Sequence, residues 1–252
     1  MNDLVDKIYV ISTKKSTRHD NIRNHLNQFT TNYEILKYTP ASSIINNGQT
    51  NSNTKQPTLL DLCRLELPTN ETSENIAQNH YNTVKLAYEN NYNMVMILED
   101  DAEFEKDIPN NITEWIKDNQ NTFDIFYLGY FTWPIGIIPI NLYIGKLLAN
   151  VTCNHAYILN RSGMKKIIDG FEKSYKNNQH IDLFYNKIGL SQYGAYPSIA
   201  FQNNSPALIE HLNLPVPFKT LTRINETLNI IIPVIIIIII VIIIIRNNYS
   251  RE

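Results

Sequence analysis

The amino-acid sequence predicts one α/β domain, built on a mainly parallel sheet with helices on both faces, followed by an apolar C-terminal segment. Strand-like runs alternate with helix-like stretches, which is the pattern of a parallel sheet. Residues 94–98 form a continuous apolar run, typical of a strand covered on both faces. Isoleucine and valine make up almost all of residues 230–245. The first two observations predict the fold class, and the third separates the tail from the domain.

The predicted elements follow in order from the N-terminus. Lys7–Ser12 is β-branched and aromatic, and a helix is predicted after it because apolar residues recur at Ile22, Leu26 and Phe29. The Ser/Asn/Gly-rich residues 41–58 predict a mobile polar loop. Further strands are predicted at Tyr33–Tyr38, Met94–Leu98, Phe123–Leu128 and Ala156–Leu159, and further helices from an N-cap at Ser73 to about Asn90 and over Ser162–Tyr175.

The composition argues against several classes of protein. The 252 residues carry a net charge of −2 and a sequence pI near 6.3, so there is no bulk electrostatic basis for binding nucleic acid. Cys63 and Cys153 are far apart and lie in no Cys/His spacing, so neither a thiolate metal site nor a disulfide framework is predicted. Function is therefore expected to depend on a local site rather than on overall charge.

The C-terminal segment predicts a membrane anchor. Residues 230–245 have no polar face at any period, and as a helix they would be about 24 Å long, enough for a thin bilayer. We expect a domain over residues 1–223, a linker over 224–229, the anchor, and a polar tail over 246–252. The N-terminus lacks the apolar core of a signal peptide, so the domain is expected on the cytosolic side of a viral or host endomembrane. Basic residues flank the anchor on both sides, so charge bias does not fix its orientation.

Three acidic residues follow the most apolar predicted strand. Glu99, Asp100 and Asp101 come directly after residues 94–98, and ligands of open α/β sheets bind beyond the carboxyl ends of the strands. Because side chains alternate along a strand, Glu99 and Asp101 are expected on one side and Asp100 on the other. Two carboxylates on one side suit Mg²⁺ or Mn²⁺, which also binds diphosphate oxygens. The competing interpretation is an acidic helix cap or a solvated loop.

The string MVMILEDDAEF, with FDIFYLG downstream, resembles the core signature of glycosyltransferase family 25. Other pieces occur in the family's order over about residues 7–205. KIYVISTKKSTRH resembles its opening strand and basic turn, and QNHYNTVKLAYENN resembles its Ser-His helix, which places His80 on the family's histidine. HAYILNRSGMKKII, IDLFYNKI and YPSIAFQNNS resemble its later strand and helix, its aspartate-led segment and its Pro and Gln close.

The resemblance implies a GT-A-like, Rossmann-like fold, a UDP-sugar donor such as UDP-galactose or UDP-glucose, Mn²⁺ or Mg²⁺, and inversion at the anomeric carbon. The acceptor would be a glycan or a protein hydroxyl. Asp101 and Glu99 would bind the metal. The donor would contact Asp100, His80, Gln202 and the opening basic residue, which maps to Arg18 or His19.

Two further roles have a structural alternative. Asp182 is expected to be the base that takes the proton of the acceptor hydroxyl, with a helix N-cap as the alternative. Tyr130 and Trp133 are expected to stack on an acceptor sugar, with a packed loop as the alternative.

Other functions remain open at this stage. The chain departs from the family at Ser12 and Thr13, at Asn79, and in lacking an upstream Gly-Cys. The intact Glu-Asp-Asp favours the leading hypothesis, a membrane-tethered glycosyltransferase, whereas these departures favour an inactive descendant of the fold, acting as a glycan-binding or structural membrane protein. A metal-dependent phosphohydrolase ranks last because the sequence has no second cluster of His and Asp residues for a two-metal site.

Overall fold

The computed structural model describes residues 1, 3–38, 71–132, 135–148, 151–175, 180–203 and 218–249. The loop predicted at residues 41–58, Cys63 and Trp133 lie outside the described residues. The strands are β1 (Lys7–Thr13), β2 (Tyr33–Tyr38), β3 (Met94–Glu99), β4 (Ala102–Phe104), β5 (Ile125–Phe131), β6 (Ile137–Pro139), β7 (Ile144–Leu147), β8 (Thr152–Asn160), β9 (Gln192–Ala195) and β10 (Ala200–Gln202). The helices are α1 (His19–Leu26), α2 (Glu71–Glu89), α3 (Asn110–Asp118), α4 (Arg161–Ser174), α5 (Ile181–Lys187) and α6 (Phe218–Tyr249).

An eight-stranded mixed sheet forms the centre of the domain, in the order β2-β1-β3-β8-β5-β9-β7-β6. The pairings make six of these strands point one way, while β8 and β7 run in the opposite direction. The expectation of a mainly parallel sheet is thus confirmed, with two antiparallel exceptions. Strands β4 and β10 pair separately as a two-stranded sheet.

Helices cover both faces of the large sheet, as predicted. Along β3, Met94, Met96 and Leu98 enter one core, and Val95 and Ile97 enter the other, because successive side chains of a strand point to opposite faces. The first core also contains apolar residues of α1 and α3, and the second contains those of α2, α4 and α5. Helix α2 begins at Glu71, two residues before the N-cap predicted at Ser73.

The carboxyl ends of β1 and β3 lie beside the beginning of β8, at one end of the central strands. β1 and β3 are parallel neighbours, and Leu98 near the end of β3 pairs with Ala156 of the antiparallel β8. Residues 152–155 therefore lie beside the acidic segment that follows β3. The small β4–β10 sheet begins at Ala102, directly after that segment.

Helix α6 corrects the expectation of a linker. Residues 224–229 belong to a continuous helix from Phe218 to Tyr249, with Pro233 inside it. They are helical because polar side chains of this turn dock on the domain: Asn225 bonds both backbone groups of Thr132, and the Glu226 carboxylate accepts from the N–H of Ser198. Among the described residues, one helix, Lys219–Arg246, is long and apolar enough to cross a membrane.

Candidate active site

Asp100 is the most densely bonded of the three acids. Its Oδ2 accepts hydrogen bonds from Ser12 Oγ and Ser16 Oγ, both at 2.5 Å. Ser12 Oγ also lies 2.9 Å from Nε2 of His19. Ser12 and Ser16 come from the end of β1 and the turn after it, and His19 begins α1, so the β1–β3 pairing brings the opening segment and the acidic segment together.

Arg18 joins Asp100 and Asp101. Its Nη1 lies 3.4 Å from Oδ1 of Asp100 and 3.2 Å from Oδ2 of Asp101. The other oxygen of Asp101, Oδ1, is buried and has no hydrogen-bond partner. Burial, with the charges of Glu99 and Asp100, raises the pKa of Asp101 to about 7, although the charge of Arg18 opposes the rise. The positive charge of Arg18 thus does not offset the effect of burial and of the neighbouring carboxylates on Asp101.

Glu99 belongs to a second hydrogen-bond network. Its Oε1 lies 3.1 Å from His80 Nε2, and its Oε2 accepts from Gln202 at 3.3 Å. The other ring nitrogen of His80 lies 2.7 Å from the hydroxyl of Tyr157. Burial alone would raise the pKa of Glu99, but the hydrogen bond and charge of His80, with smaller contributions from His155 and Gln202, lower it.

These contacts correct the expected arrangement of the acids. Asp100 and Asp101 share Arg18, while Glu99 turns to His80. Strand β3 ends at Glu99 and the chain turns over the next two residues, so the alternation of a strand does not continue through the segment. The charges of Glu99 and Asp101 still act on each other.

A cleft of about 180 Å³ opens beside Arg18, Asp100 and Asp101, and its polar lining also includes Asn21, Glu103 and Asn203. The free oxygen of Asp101 and the raised pKa of its carboxyl fit a bound cation, since a positive charge would stabilise the ionised form. Within the described part of the chain, no group of three or more His, Cys, Asp or Glu side chains is arranged to hold a metal ion. Protein oxygens at this position would therefore fill only part of a coordination shell, as is usual for Mg²⁺ bound together with phosphates.

Asp182 lies in the first turn of α5 and is half-buried. Its Oδ2 accepts from the backbone N–H of Cys153 at 2.9 Å, and Cys153 has a φ of 71°. Burial raises the pKa of Asp182, against the hydrogen bond from Cys153, and Glu99 and His80 also act on it. The N-cap of α5 is His180, so the capping alternative for Asp182 is not observed.

Comparison with known proteins decides the family. The profile described as "Glycosyltransferase family 25 (LPS biosynthesis protein)" matches residues 5–134, about half of the chain. The chain belongs to glycosyltransferase family 25. No curated protein sequence matches the chain. A solved structure titled "Crystal Structure of A197 from STIV" is similar at 12% identity and a TM-score of 0.44, covering 79% of this chain and 86% of that one. A similarity at this level assigns neither fold nor function.

The family 25 match includes Arg18, His80 and the three acids, and it supports glycosyltransferase activity for the chain. Asp182 and Gln202 lie beyond it. The structure brings Gln202 to Glu99 through the β4–β10 pairing, and the charges of Glu99 and His80 reach Asp182. The predicted donor and metal residues of this family 25 member thus lie together at one edge of the sheet.

Tyr130 does not match its predicted role. Its side chain is 2% exposed, and a Cβ added at Gly194 would lie 2.5 Å from Cε1 of its ring. The ring therefore packs in the core against the sheet and presents no face to a sugar, because Tyr130 falls on a buried position of β5. Sequence reasoning also missed Ser16 and Tyr157. The polar turn after β1 was a usable signal for Ser16, whereas nothing local marks Tyr157.

Proposed function

We propose that this family 25 glycosyltransferase moves a hexose, galactose or glucose, from a UDP-sugar to a hydroxyl of a glycan or protein acceptor, with inversion and with a divalent cation, Mn²⁺ or Mg²⁺. We also propose that α6 holds the enzyme at a membrane. The observation that carries the proposal is Asp101, whose buried Oδ1 lacks a partner and whose pKa is raised to about 7 beside the cleft.

The donor diphosphate is proposed to bind at Arg18 and Asp101. Arg18 presents a partly exposed guanidinium to the cleft, and guanidinium groups bind phosphate oxygens through paired hydrogen bonds. A divalent cation bound by Asp101 would neutralise the charge that grows on the leaving diphosphate. Ser12 and Ser16 hold Asp100 in place, so this carboxylate is oriented before the donor arrives.

His80 and Gln202 act on the donor through Glu99. Both side chains donate hydrogen bonds to its carboxylate, which keeps Glu99 ionised in a half-buried position. A fixed negative charge there suits either the cation or a sugar hydroxyl of the donor. His80 is fully buried and is therefore a positioning residue.

Asp182 remains the proposed base. A carboxylate with a raised pKa accepts a proton from a hydroxyl more readily than an ordinary one. In Asp182→Asn the amide oxygen can still accept from Cys153, so the fold is expected to persist while turnover falls about 100-fold or more. Full turnover with an unchanged melting temperature would exclude Asp182 as the base.

Thermal stability against nucleotides tests the donor site. The full chain, in detergent, is heated with UDP, GDP, ADP or CMP, each with and without Mn²⁺, since a ligand that binds only the folded state raises the melting temperature. We expect a response to UDP that requires Mn²⁺ and is lost in Asp101→Ala. Asp169→Ala is the matched control, because Asp169 pairs with Lys165 on the exposed face of α4.

A second candidate function is a catalytically inactive protein that binds glycans or has a structural role at the membrane. It is favoured by the ion pairs of Arg18 with Asp100 and Asp101, which already supply a counter-charge without any ligand. In that case none of the nucleotides changes the melting temperature of the folded chain, and binding to a glycan array is expected instead.

The membrane proposal rests on the exposure of α6. Residues 234–245 are about half exposed and entirely valine or isoleucine, while the preceding turn is docked on the domain. We expect the full chain to stay in the membrane fraction after alkaline carbonate washing, and a chain ending at residue 229 to be released. Protease protection of intact vesicles would test the proposed cytosolic side.

A further inference from the structure

An exposed apolar hairpin lies beside the base of α6. It comprises residues 135–148 and contains β6 and β7. Its sequence, IGIIPINLYIGKLL, contains Lys146 as its one charged residue. Six large apolar side chains on it are exposed, with Leu142 exposed by 81%: Ile135, Ile138, Ile140, Leu142, Tyr143 and Leu148. A soluble surface seldom presents so many in one short segment.

Two sets of hydrogen bonds hold the hairpin against α6. At its base, the N–H of Gly136 donates to Oδ1 of Asn229 at 3.2 Å. Near its tip, the carbonyl of Tyr143 accepts from the N–H of Tyr196 at 2.8 Å, and the hydroxyl of Tyr196 donates to the carbonyl of Glu226 at 3.2 Å. Both ends of the hairpin are therefore connected to residues 226–229 of the helix.

These contacts place the hairpin at the level where the helix leaves the domain. Residue 226 is four positions before Ile230, where the apolar run begins, and four helical residues extend about 6 Å along the axis. The exposed apolar side chains of the hairpin and those of the apolar run of α6 thus begin, at Ile135 and Ile230, one residue from the Gly136–Asn229 hydrogen bond.

We propose that the hairpin is a second membrane contact, seated in the headgroup and upper acyl region beside α6. This rests on the proposed anchoring by α6. Lipid is the occupant that the observations favour, because the exposed apolar residues of the hairpin and of α6 meet at this hydrogen bond, and a bilayer covers both at once. Lys146 suits anionic headgroups, since a lysine stem can lie along apolar surface while its ammonium stays in water.

The contact also bears on the short apolar run of α6. Residues 230–245 as a helix are about 24 Å long, below the ~30 Å of a typical hydrocarbon core. A hairpin that enters the interface draws the domain towards the bilayer. It also adds apolar surface at the end of the apolar run that is nearest the domain. It also fixes the tilt of the domain, because two contacts define an orientation that one helix leaves free.

Fluorescence quenching in nanodiscs tests the proposal with the full chain. In a Trp115→Phe, Trp133→Phe background, which removes both native tryptophans, Leu142→Trp is compared with Asn121→Trp, using phosphatidylcholine and phosphatidylserine discs with or without lipids brominated near the headgroup. Asn121 is exposed and precedes β5, whereas α6 docks beyond the other end of that strand, at Thr132. Ile140→Trp provides a second position on the hairpin.

We expect brominated lipid to quench the Leu142→Trp and Ile140→Trp chains at least twofold more than the Asn121→Trp chain. Equal quenching of all three, in discs that contain the chain, would overturn the hairpin contact and leave the α6 anchor intact. A chain that does not enter the discs at all would overturn both. The two failures are thus distinguished by whether the chain co-purifies with the discs.

Discussion

Arg18 Nη1 lies 3.2 Å from one oxygen of Asp101, and the other oxygen of that carboxylate is buried without a partner. The arginine side chain is 42% exposed, so solvent weakens the charge it offers. This explains why the pKa of Asp101 stays raised, at about 7, despite the ion pair. The site thus carries a stability penalty that a bound cation would relieve, and this relation leads to the first prediction.

We expect Asp101→Asn to stabilise the chain in metal-free buffer at pH 8 while abolishing transfer. A raised pKa means that the folded state holds the proton more tightly than the unfolded state, so stability falls as pH rises from about 4 to 7. The neutral amide removes this penalty, which is on the order of 4 kcal/mol at pH 8 for a rise of about three pKa units. The melting temperatures of the two chains should converge near pH 4. A variant less stable than the wild type at pH 8 would contradict the prediction.

Arg18→Gln is expected to weaken nucleotide binding about tenfold, because one charge-assisted contact to a phosphate is lost. Arg23→Gln is the matched control, since Arg23 lies on the neighbouring helix α1 and pairs with the exposed Asp20. Titration calorimetry with UDP and Mn²⁺ measures both. Equal affinities for the two variants would make Arg18 a counter-ion of the acids rather than a donor residue.

Tyr157→Phe should cost about 1–3 kcal/mol of unfolding free energy, because it leaves the buried Nδ1 of His80 without its partner. Tyr127→Phe is the control, since the hydroxyl of Tyr127 is buried on the neighbouring strand with no hydrogen-bond partner. That variant is expected to be neutral or stabilising. Urea unfolding of both chains measures the difference, and an equal loss in both would show that the His80 contact adds nothing.

Stability should also fall below about pH 6.5 through His25. The N–H of Phe104 donates to its Nε2 at 2.8 Å, so that nitrogen must be unprotonated, and burial lowers the pKa of the ring against the opposing charge of Glu103. A lowered pKa gives stability that is complete above the unfolded value and lost as pH falls through the folded one. His25→Gln keeps an acceptor without a titrating group, so its melting temperature should depend less on pH between 5 and 7, about the range of free histidine. An identical pH dependence in both chains would contradict this.

Sequence patterns predicted most of the longer elements because a long run carries a recognisable pattern, either a continuous apolar stretch or a helical spacing. The apolar strand at residues 94–98 and the helix beginning near Ser162 are examples. Short strands such as β6 and β10 were missed, since three residues carry no periodic signal. The linker expected at residues 224–229 failed for a different reason: its polar side chains bind a distant part of the chain, and no local pattern shows that.

The same distinction holds for the site. Glu99, Asp100 and Asp101 were found because they end a buried strand, and Gln202 and His80 through the family resemblance. The sharing of Arg18 by Asp100 and Asp101 depends on where β3 ends, and a strand boundary is poorly defined by sequence. Tyr130 was misjudged because an aromatic residue near a strand end has the same sequence signature whether it faces solvent or the core.

If α6 is the membrane anchor, its docking on the domain sets the distance between the cleft and the bilayer. Arg223 pairs with Glu105, close to the cleft-lining Glu103, and also with Glu226 on its own helix. Residue 223 is seven positions before Ile230, which corresponds to about 10 Å along a helix axis. In a chain anchored by α6, the cleft would therefore stay at a fixed, short distance from the bilayer, because α6 is continuous and no flexible linker separates its docked turn from the anchor. Such an enzyme would select acceptors by their distance from the membrane: it would modify hydroxyls close to the lipid surface and would not reach those further away.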